Sequence, residues 1–85
     1  MKKVLIYTGP LCGYCDAAKA LLKRKNISFD EIDIGKDQEK RDEMLKRSNG
    51  AQTIPQISIG DSHIGGFRQL YALEKENKLD TLLKN

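Results

Sequence analysis

Two cysteines separated by two residues, Cys12 and Cys15, follow directly after a short apolar run that is rich in strand formers. A disulfide stabilises a fold mainly by closing a long loop in the unfolded chain, and a two-residue gap closes almost nothing. The pair is therefore better suited to opening and closing in redox chemistry than to holding a fold together.

Length and composition predict one small domain over residues 1–85. With 85 residues and 39% hydrophobic content, the chain has room for a single small core. The apolar run after the first lysines is too short for a signal peptide, and no run is long enough to span a membrane. We therefore expect a cytoplasmic protein. A reducing cytosol favours a catalytic or a metal-binding role for a lone Cys-x-x-Cys.

The charge balance gives no sign of a nucleic-acid partner. Fifteen basic and twelve acidic residues leave a net charge of +3, spread through mixed-sign stretches that are typical of a solvated helix face. The basic tracts at 23–25 and 46–47 carry neither interleaved aromatic residues nor a docking motif. The mild positive charge is compatible with anionic substrates.

Apolar periodicity predicts the element order βαβαββα. We expect strands at 3–7, 27–34, 56–59 and 62–64, helices at 13–25, 36–48 and 67–76, and a last amphipathic turn at Leu79, Leu82 and Leu83. Gly60-Asp61 predicts a two-residue hairpin loop. The first two strands, joined by a helix, should be parallel with a right-handed crossover. The sequence therefore predicts an α/β fold with a four-stranded mixed sheet, a central first strand and helices on both faces.

The cysteines take different roles if the first helix starts between them. Cys12 faces free backbone N–H groups and the positive end of the helix dipole, which stabilise a thiolate. Cys15, one turn along, is expected to be enclosed and to attack a mixed disulfide formed at Cys12. A structural zinc site needs four ligands, and the chain adds only the distant His63, so no metal site is expected. For His63 we expect a partly buried, hydrogen-bonded side chain without a catalytic role.

Three other positions allow either a structural or a functional interpretation. Tyr14 is either an idle exposed aromatic or a flank for whatever docks on Cys12. Pro55 is either a turn proline or the second residue of a cis bond that turns the Ile54 backbone towards a thiol substrate. Gly65-Gly66 either ends the hairpin or opens a helix start whose N–H groups hold a carboxylate.

Four segments together, in this order and spacing, resemble a glutaredoxin of the small bacterial dithiol type over nearly the whole chain. They are Tyr7-Thr8, Cys12-Gly13-Tyr14-Cys15, Thr53-Ile54-Pro55 and Gly65-Gly66. The resemblance implies a thioredoxin-like fold, a cis Pro55, and a monomer that reduces protein disulfides and glutathione mixed disulfides with glutathione as co-substrate. It implies that Cys12 attacks and Cys15 resolves. The implied glutathione contacts are Tyr14, Thr53, Ile54 and Pro55 in the groove, with the backbone of Gly66, Phe67 and Arg68 receiving the γ-glutamyl carboxylate.

This chain departs from the family pattern at three places. Gly13 replaces a usual proline, and some relatives without that proline hold an iron-sulfur cluster between two monomers, which makes a cluster carrier an alternative function. Gly9 replaces a lysine that assists glutathione. Arg68 stands where aspartates are common; it can pair with a carboxylate but cannot replace an acid that binds an ammonium group.

The string Gly66-Phe67-Arg68 also resembles a segment of redoxins that serve ribonucleotide reductase and are recharged by thioredoxin reductase. Tyr14, in contrast, is typical of glutaredoxins. We expect a glutathione-dependent thiol-disulfide oxidoreductase acting on disulfide-containing or glutathionylated proteins, with the thioredoxin-reductase-fed redoxin as the rival.

Overall fold

A computed structural model describes residues 1–84, and its elements follow the predicted order with one short helix added at the end. The strands are β1 (Val4–Thr8), β2 (Asp30–Asp33), β3 (Gln56–Ile59) and β4 (Ser62–Gly65). The helices are α1 (Gly13–Arg24), α2 (Gln38–Arg47), α3 (Phe67–Lys75) and α4 (Leu79–Leu83).

The four strands form one mixed sheet in the order β2-β1-β3-β4. β1 pairs in parallel with β2, with Leu5 opposite Asp30, and antiparallel with β3, with Tyr7 opposite Gln56. β3 and β4 form the predicted antiparallel hairpin. The α/β, thioredoxin-like fold is thereby confirmed, and β1 lies in the sheet interior as its continuous apolar character predicts.

Alternation along β1 divides the buried side chains between two faces of the sheet. Val4 and Ile6 join the larger core with the buried leucines of α1 and α3. Tyr7 points to the other face, where it packs with Ile34 and with Met44 of α2. Helices therefore cover both faces, because successive strand residues project in opposite directions.

Hydrogen bonding sets element limits that differ slightly from the apolar pattern. β2 begins at Asp30 rather than at residue 27: Ile27 is buried in the core, but pairing with β1 starts only where Leu5 meets Asp30. α2 is shorter than residues 36–48, because the Asp37 side chain accepts from two amides of its first turn and caps the helix.

The short α4 supports the predicted amphipathic end of the chain. Leu79 and Leu83 are buried in the larger core. Lys25 at the end of α1 forms salt bridges with Glu74 of α3 at 2.8 Å and with Asp80 of α4 at 3.2 Å.

Among residues 1–84, no helix has the length and apolar character needed to cross a bilayer.

Candidate redox site

The two cysteines lie where β1 gives way to α1. Cys12 is the N-cap residue of α1, with extended backbone angles, and Cys15 lies in the first turn. They are joined as a disulfide, with their Cα atoms 5.2 Å apart. The Cys15 side chain is only 1% exposed, whereas Cys12 is partly exposed. An incoming sulfur can therefore approach Cys12 and not Cys15.

The helix start also contacts the Cys12 sulfur directly. The backbone N–H of Cys15 donates a hydrogen bond to Cys12 Sγ over 3.1 Å. Free N–H groups and the dipole of a helix N-terminus stabilise negative charge on such a sulfur. The geometry therefore favours Cys12 as the thiolate that attacks in disulfide exchange.

A second loop brings backbone groups to the same sulfur. The Ile54-Pro55 peptide bond is cis, the isomer that the family resemblance implies. Cys12 Sγ lies 3.8 Å from the Ile54 carbonyl oxygen. The loop before β3 thus stands beside the reactive sulfur, where an extended substrate could bond to backbone groups.

The N-terminus of α3 forms the far side of the site. Gly66 is its N-cap residue. Its N–H is already donated to Gln69 Oε1 over 2.9 Å, so the Gly66 amide is not free for a ligand. The next amides, of Phe67 and Arg68, lie in the first turn of the helix, where no intrahelical acceptor exists.

These elements enclose an open groove of about 450 Å³ beside the disulfide. Its lining comprises Tyr14, Thr53, Ile54, Pro55, Gly66, Phe67, Arg68 and Gln69. The structure thus brings together all seven positions that the family resemblance names as glutathione contacts. Gln69 is the lining residue that the sequence analysis missed. Its signal was the spacing: a Gln three residues after an N-cap position is half of a capping box.

The charge of the groove is positive. The eight lining residues include one cation, exposed Arg68, and no acid. Together with the free amides of the α3 first turn, Arg68 makes this end of the groove suited to a carboxylate.

Gly13 and Gly9, the two glycines that depart from the family pattern, have different surroundings in the structure. A Cβ at Gly13 would meet no atom within 4 Å, so space does not require glycine there. A Cβ at Gly9 would lie 2.7 Å from Ile54 Cδ1. The end of the Ile54 side chain therefore occupies the space into which a larger residue at position 9 would grow.

His63 lies outside the groove, and its expected partial burial is wrong. It is exposed on β4, the edge strand, and its Nε2 lies 2.7 Å from Gln56 Oε1. The hydrogen bond was expected.

The residues that the structure describes contain no group of three or more His, Cys, Asp or Glu side chains that could hold a metal ion. Of the two cysteines, Cys15 is buried and Cys12 is partly exposed.

Tyr7 on β1 and Glu31 on the neighbouring strand β2 have shifted pKa values. Burial and a 2.5 Å hydrogen bond to Glu43 raise the pKa of Tyr7 to about 12. Hydrogen bonds from Thr8 and from Lys19 lower the pKa of Glu31. Both arrangements link β1 to a neighbouring element: Tyr7 to α2 and Thr8 to β2.

Comparison with known proteins identifies the family. The glutaredoxin family model matches residues 4–64. Glutaredoxin 3 of Escherichia coli (strain K12) is 52% identical over 84 residues, covering 99% of this chain and 100% of that protein. The solution structure of glutaredoxin from Brucella melitensis is 56% identical, with a TM-score of 0.84 over 99% of this chain and 90% of its own.

A more distant structure shares the fold. The buckwheat glutaredoxin-glutathione complex is 22% identical, with a TM-score of 0.85 over 96% of this chain and 76% of its own. The sequence matches extend over the cysteine pair, the loop before β3 and the turn into α3. With a partly exposed Cys12 and an enclosed Cys15 at a helix start, this chain belongs to the glutaredoxin family of thiol-disulfide oxidoreductases.

Proposed function

We propose that this protein reduces disulfides with glutathione as its electron donor. The observation that supports this most directly is the position of the groove: one of its lining residues, Ile54, has its carbonyl oxygen 3.8 Å from the partly exposed Cys12 sulfur, and its lining also includes the start of α3 with the cation Arg68. Glutathione is a tripeptide with a thiol in the middle and carboxylates at its ends. A ligand of that form could place its sulfur at Cys12 and one carboxylate at Arg68.

The reductive half-reaction starts from the dithiol form. The Cys12 thiolate attacks one sulfur of the substrate disulfide, a Cys12–substrate disulfide forms, and the other substrate sulfur leaves as a thiolate that takes a proton from water. Cys15 then loses its proton and attacks Cys12 Sγ, which releases the second substrate thiol. The product is the Cys12–Cys15 disulfide present in the structure.

Two glutathione molecules return the protein to the dithiol form. The first thiolate attacks Cys12 Sγ, and Cys15 leaves and is protonated. The second attacks the glutathione sulfur of that mixed disulfide, giving oxidised glutathione and a free Cys12. Each disulfide reduced thus consumes two thiols of glutathione.

Recognition of glutathione rests on few groups. The 3.8 Å distance between Cys12 Sγ and the Ile54 carbonyl oxygen supports backbone bonding of an extended peptide beside Cys12. At the other end, Arg68 and the amides of the α3 first turn attract the γ-glutamyl carboxylate. Since the groove lining contains no acid, the adjacent ammonium group gains no ion pair there. Glutathione binding should therefore depend on the carboxylate end.

We infer protein partners of the same chemistry: disulfide-containing or glutathionylated proteins, with ribonucleotide reductase among the candidates. One chain supplies every residue of the groove, so a monomer is sufficient for this cycle.

The test compares two electron sources with one small mixed disulfide, that of cysteine and glutathione. Turnover is measured with glutathione plus glutathione reductase, and separately with thioredoxin reductase. The proposal expects turnover with the glutathione system. Activity with thioredoxin reductase alone would overturn it in favour of the redoxin alternative, and Cys12→Ser serves as the inactive control in both assays.

A further inference from the structure

A row of stacked side chains continues from the groove along the outside of α3. The Tyr14 and Phe67 rings stack with centroids 6.0 Å apart and planes 20° apart. Phe67 stacks on Tyr71 with centroids 5.7 Å apart and planes 24° apart. Lys75 Nζ then lies 5.6 Å from the Tyr71 centroid. We call Tyr14, Phe67, Tyr71 and Lys75 the aromatic stripe.

Packing against the core accounts for only one aromatic residue of the stripe, Phe67. Phe67 packs against the larger core, as does fully buried Leu70 on the inner side of α3. Tyr71 is 44% exposed and Tyr14 is 56% exposed. Neither tyrosine belongs to the two core clusters of the described residues. Two large aromatic side chains are thus held in order on the surface without a structural task of their own.

The stripe is continuous with the proposed substrate groove. Tyr14 and Phe67 line the groove, whereas Tyr71 lies one helical turn, about 5.4 Å, further along α3 and outside it. A ligand confined to the groove does not need Tyr71. A longer chain whose cysteine engages Cys12 would cross Tyr14 and Phe67 and reach Tyr71.

Charge at the stripe favours an acidic occupant. Arg68 beside it and Lys75 at its end are both exposed, and no salt bridge within residues 1–84 involves either of them. The neighbouring acid Glu74 is paired with Lys25, and Glu76 is paired with Lys78. The apolar surface of the stripe therefore lies next to two cations, Arg68 and Lys75, that are not paired with a carboxylate among residues 1–84.

We propose that the aromatic stripe is a docking surface for protein substrates, taking a peptide segment that carries an apolar side chain followed by acidic residues next to its reactive cysteine. This inference rests on the proposed function in one respect, that the substrate cysteine enters the groove at Cys12. Rigid aromatic side chains lose little conformational entropy on binding, and buried tyrosines are frequent energetic centres of interfaces.

The test uses single-turnover reduction of short peptides cyclised by an internal disulfide, with the pre-reduced protein and no glutathione. One peptide carries Leu-Asp-Asp beside a cysteine, and its matched partner carries Ser-Lys-Lys. The proposal expects the acidic peptide to reach half-saturation at the lower concentration. Tyr71→Ser should raise that concentration about fivefold or more and leave the reduction of the small disulfide cystine unchanged. Tyr71→Phe, which keeps the ring, should behave as the parent protein.

Lys75→Gln tests the charge separately and should weaken the acidic peptide by about twofold at low salt only. Equal half-saturation for both peptides, or an equal loss of cystine reduction in Tyr71→Ser, would overturn the proposal. Sedimentation of the parent protein and of Tyr71→Ser checks the competing occupant: a dimer that disappears in the variant would assign the stripe to a second copy of this chain.

The two proposals fail independently. If the glutathione system does not sustain turnover but Tyr71→Ser still discriminates between the peptides, the electron donor is wrong and the docking surface stands. If turnover with glutathione is normal and Tyr71→Ser affects neither peptide, only the docking surface is wrong.

Discussion

The side-chain carbonyl oxygen of Gln69 accepts a hydrogen bond from the backbone N–H of Gly66 over 2.9 Å, across the entrance to α3. Gly66 has no side chain with which to cap the helix, so Gln69 orders this turn from inside the helix. The turn in question carries the amides and the arginine that we assign to a carboxylate.

Removing that acceptor should loosen the helix start. We expect Gln69→Ala to lower the free energy of unfolding by about 0.5–1 kcal/mol, the usual contribution of a capping hydrogen bond. Gln69→Glu keeps an acceptor and should stay close to the parent protein. Urea titration gives both values, and an equal loss in the two variants would assign the effect to something other than the hydrogen bond.

Substitution of Cys12 and substitution of Cys15 should affect activity differently. Cys12→Ser should abolish all turnover, because Cys12 is the accessible sulfur. Cys15→Ser should spare deglutathionylation, which needs one thiol, while losing dithiol reduction of protein disulfides. Parallel assays with a glutathionylated peptide and a peptide disulfide measure the two routes; matching losses in both variants would contradict the division of roles.

Arg68 should contribute to glutathione binding mainly through its charge. We expect Arg68→Gln to raise KM for a glutathione mixed disulfide by about three- to tenfold with little change in kcat, an estimate kept modest because the side chain is exposed. Arg68→Lys should recover part of the loss. The difference should shrink in about 0.5 M salt, where charges are screened within a few ångströms; salt-independent loss would argue against an ion pair.

Gly9 and Ile54 should be energetically coupled. A Cβ at position 9 would lie 2.7 Å from Ile54 Cδ1, the far end of a flexible side chain, so Gly9→Ala should destabilise the protein by about 0.5 kcal/mol as the Ile54 rotamer shifts. Ile54→Val removes the Cδ1 atom and should suppress that cost in the double variant. A double-mutant cycle measured by urea unfolding detects the coupling, and additive losses would show that the contact relaxes without cost.

Tyr7 should make the fold sensitive to alkaline pH. Burial and the hydrogen bond to Glu43 raise its pKa from 10.0 to about 12, so the folded state favours the neutral phenol. This contribution is complete below pH 10 and is lost as the pH rises towards 12. At 1.36 kcal/mol per pKa unit it amounts to about 2–3 kcal/mol.

The control is Tyr7→Phe, which lacks the ionisable group, because any other alkaline loss of stability is common to both proteins. Unfolding free energies of both proteins are compared across pH 9–12 as the difference between them. The parent protein should lose more stability than the variant over this interval, and parallel curves would contradict the assignment.

The sequence predicts β3 and its hairpin well because local chemistry controls both. The loop glycine Gly60 has a positive φ of 58°, which glycine adopts without strain, and apolar alternation marks the strand on either side. The start of β2 could not be predicted in the same way. Ile27 and Phe29 contribute to the core without pairing, and an apolar pattern reports burial rather than hydrogen bonding.

The candidate site likewise has some features that the sequence predicts and others that only the structure shows. Cys12 and Cys15 are recognisable from spacing and from the helix that follows. The Gln69 contact was missed although Gln69 has the capping-box spacing, because the N-cap residue Gly66 lacks the Ser or Thr side chain that usually marks this motif. The Gly9–Ile54 contact joins residues far apart in sequence, so only the folded chain reveals it.

Because β1 and β3 are antiparallel, the cysteine pair and the Gly60-Asp61 loop lie at opposite ends of the sheet. The disulfide follows the last residue of β1, while the Gly60-Asp61 loop lies at the opposite end, where Gly60 N–H bonds to the Lys3 carbonyl over 2.8 Å. A linker inserted between Gly60 and Asp61 could therefore attach the protein to an electrode or a bead while the reactive sulfur faces the solution. The attached protein could then serve as an immobilised thiol sensor.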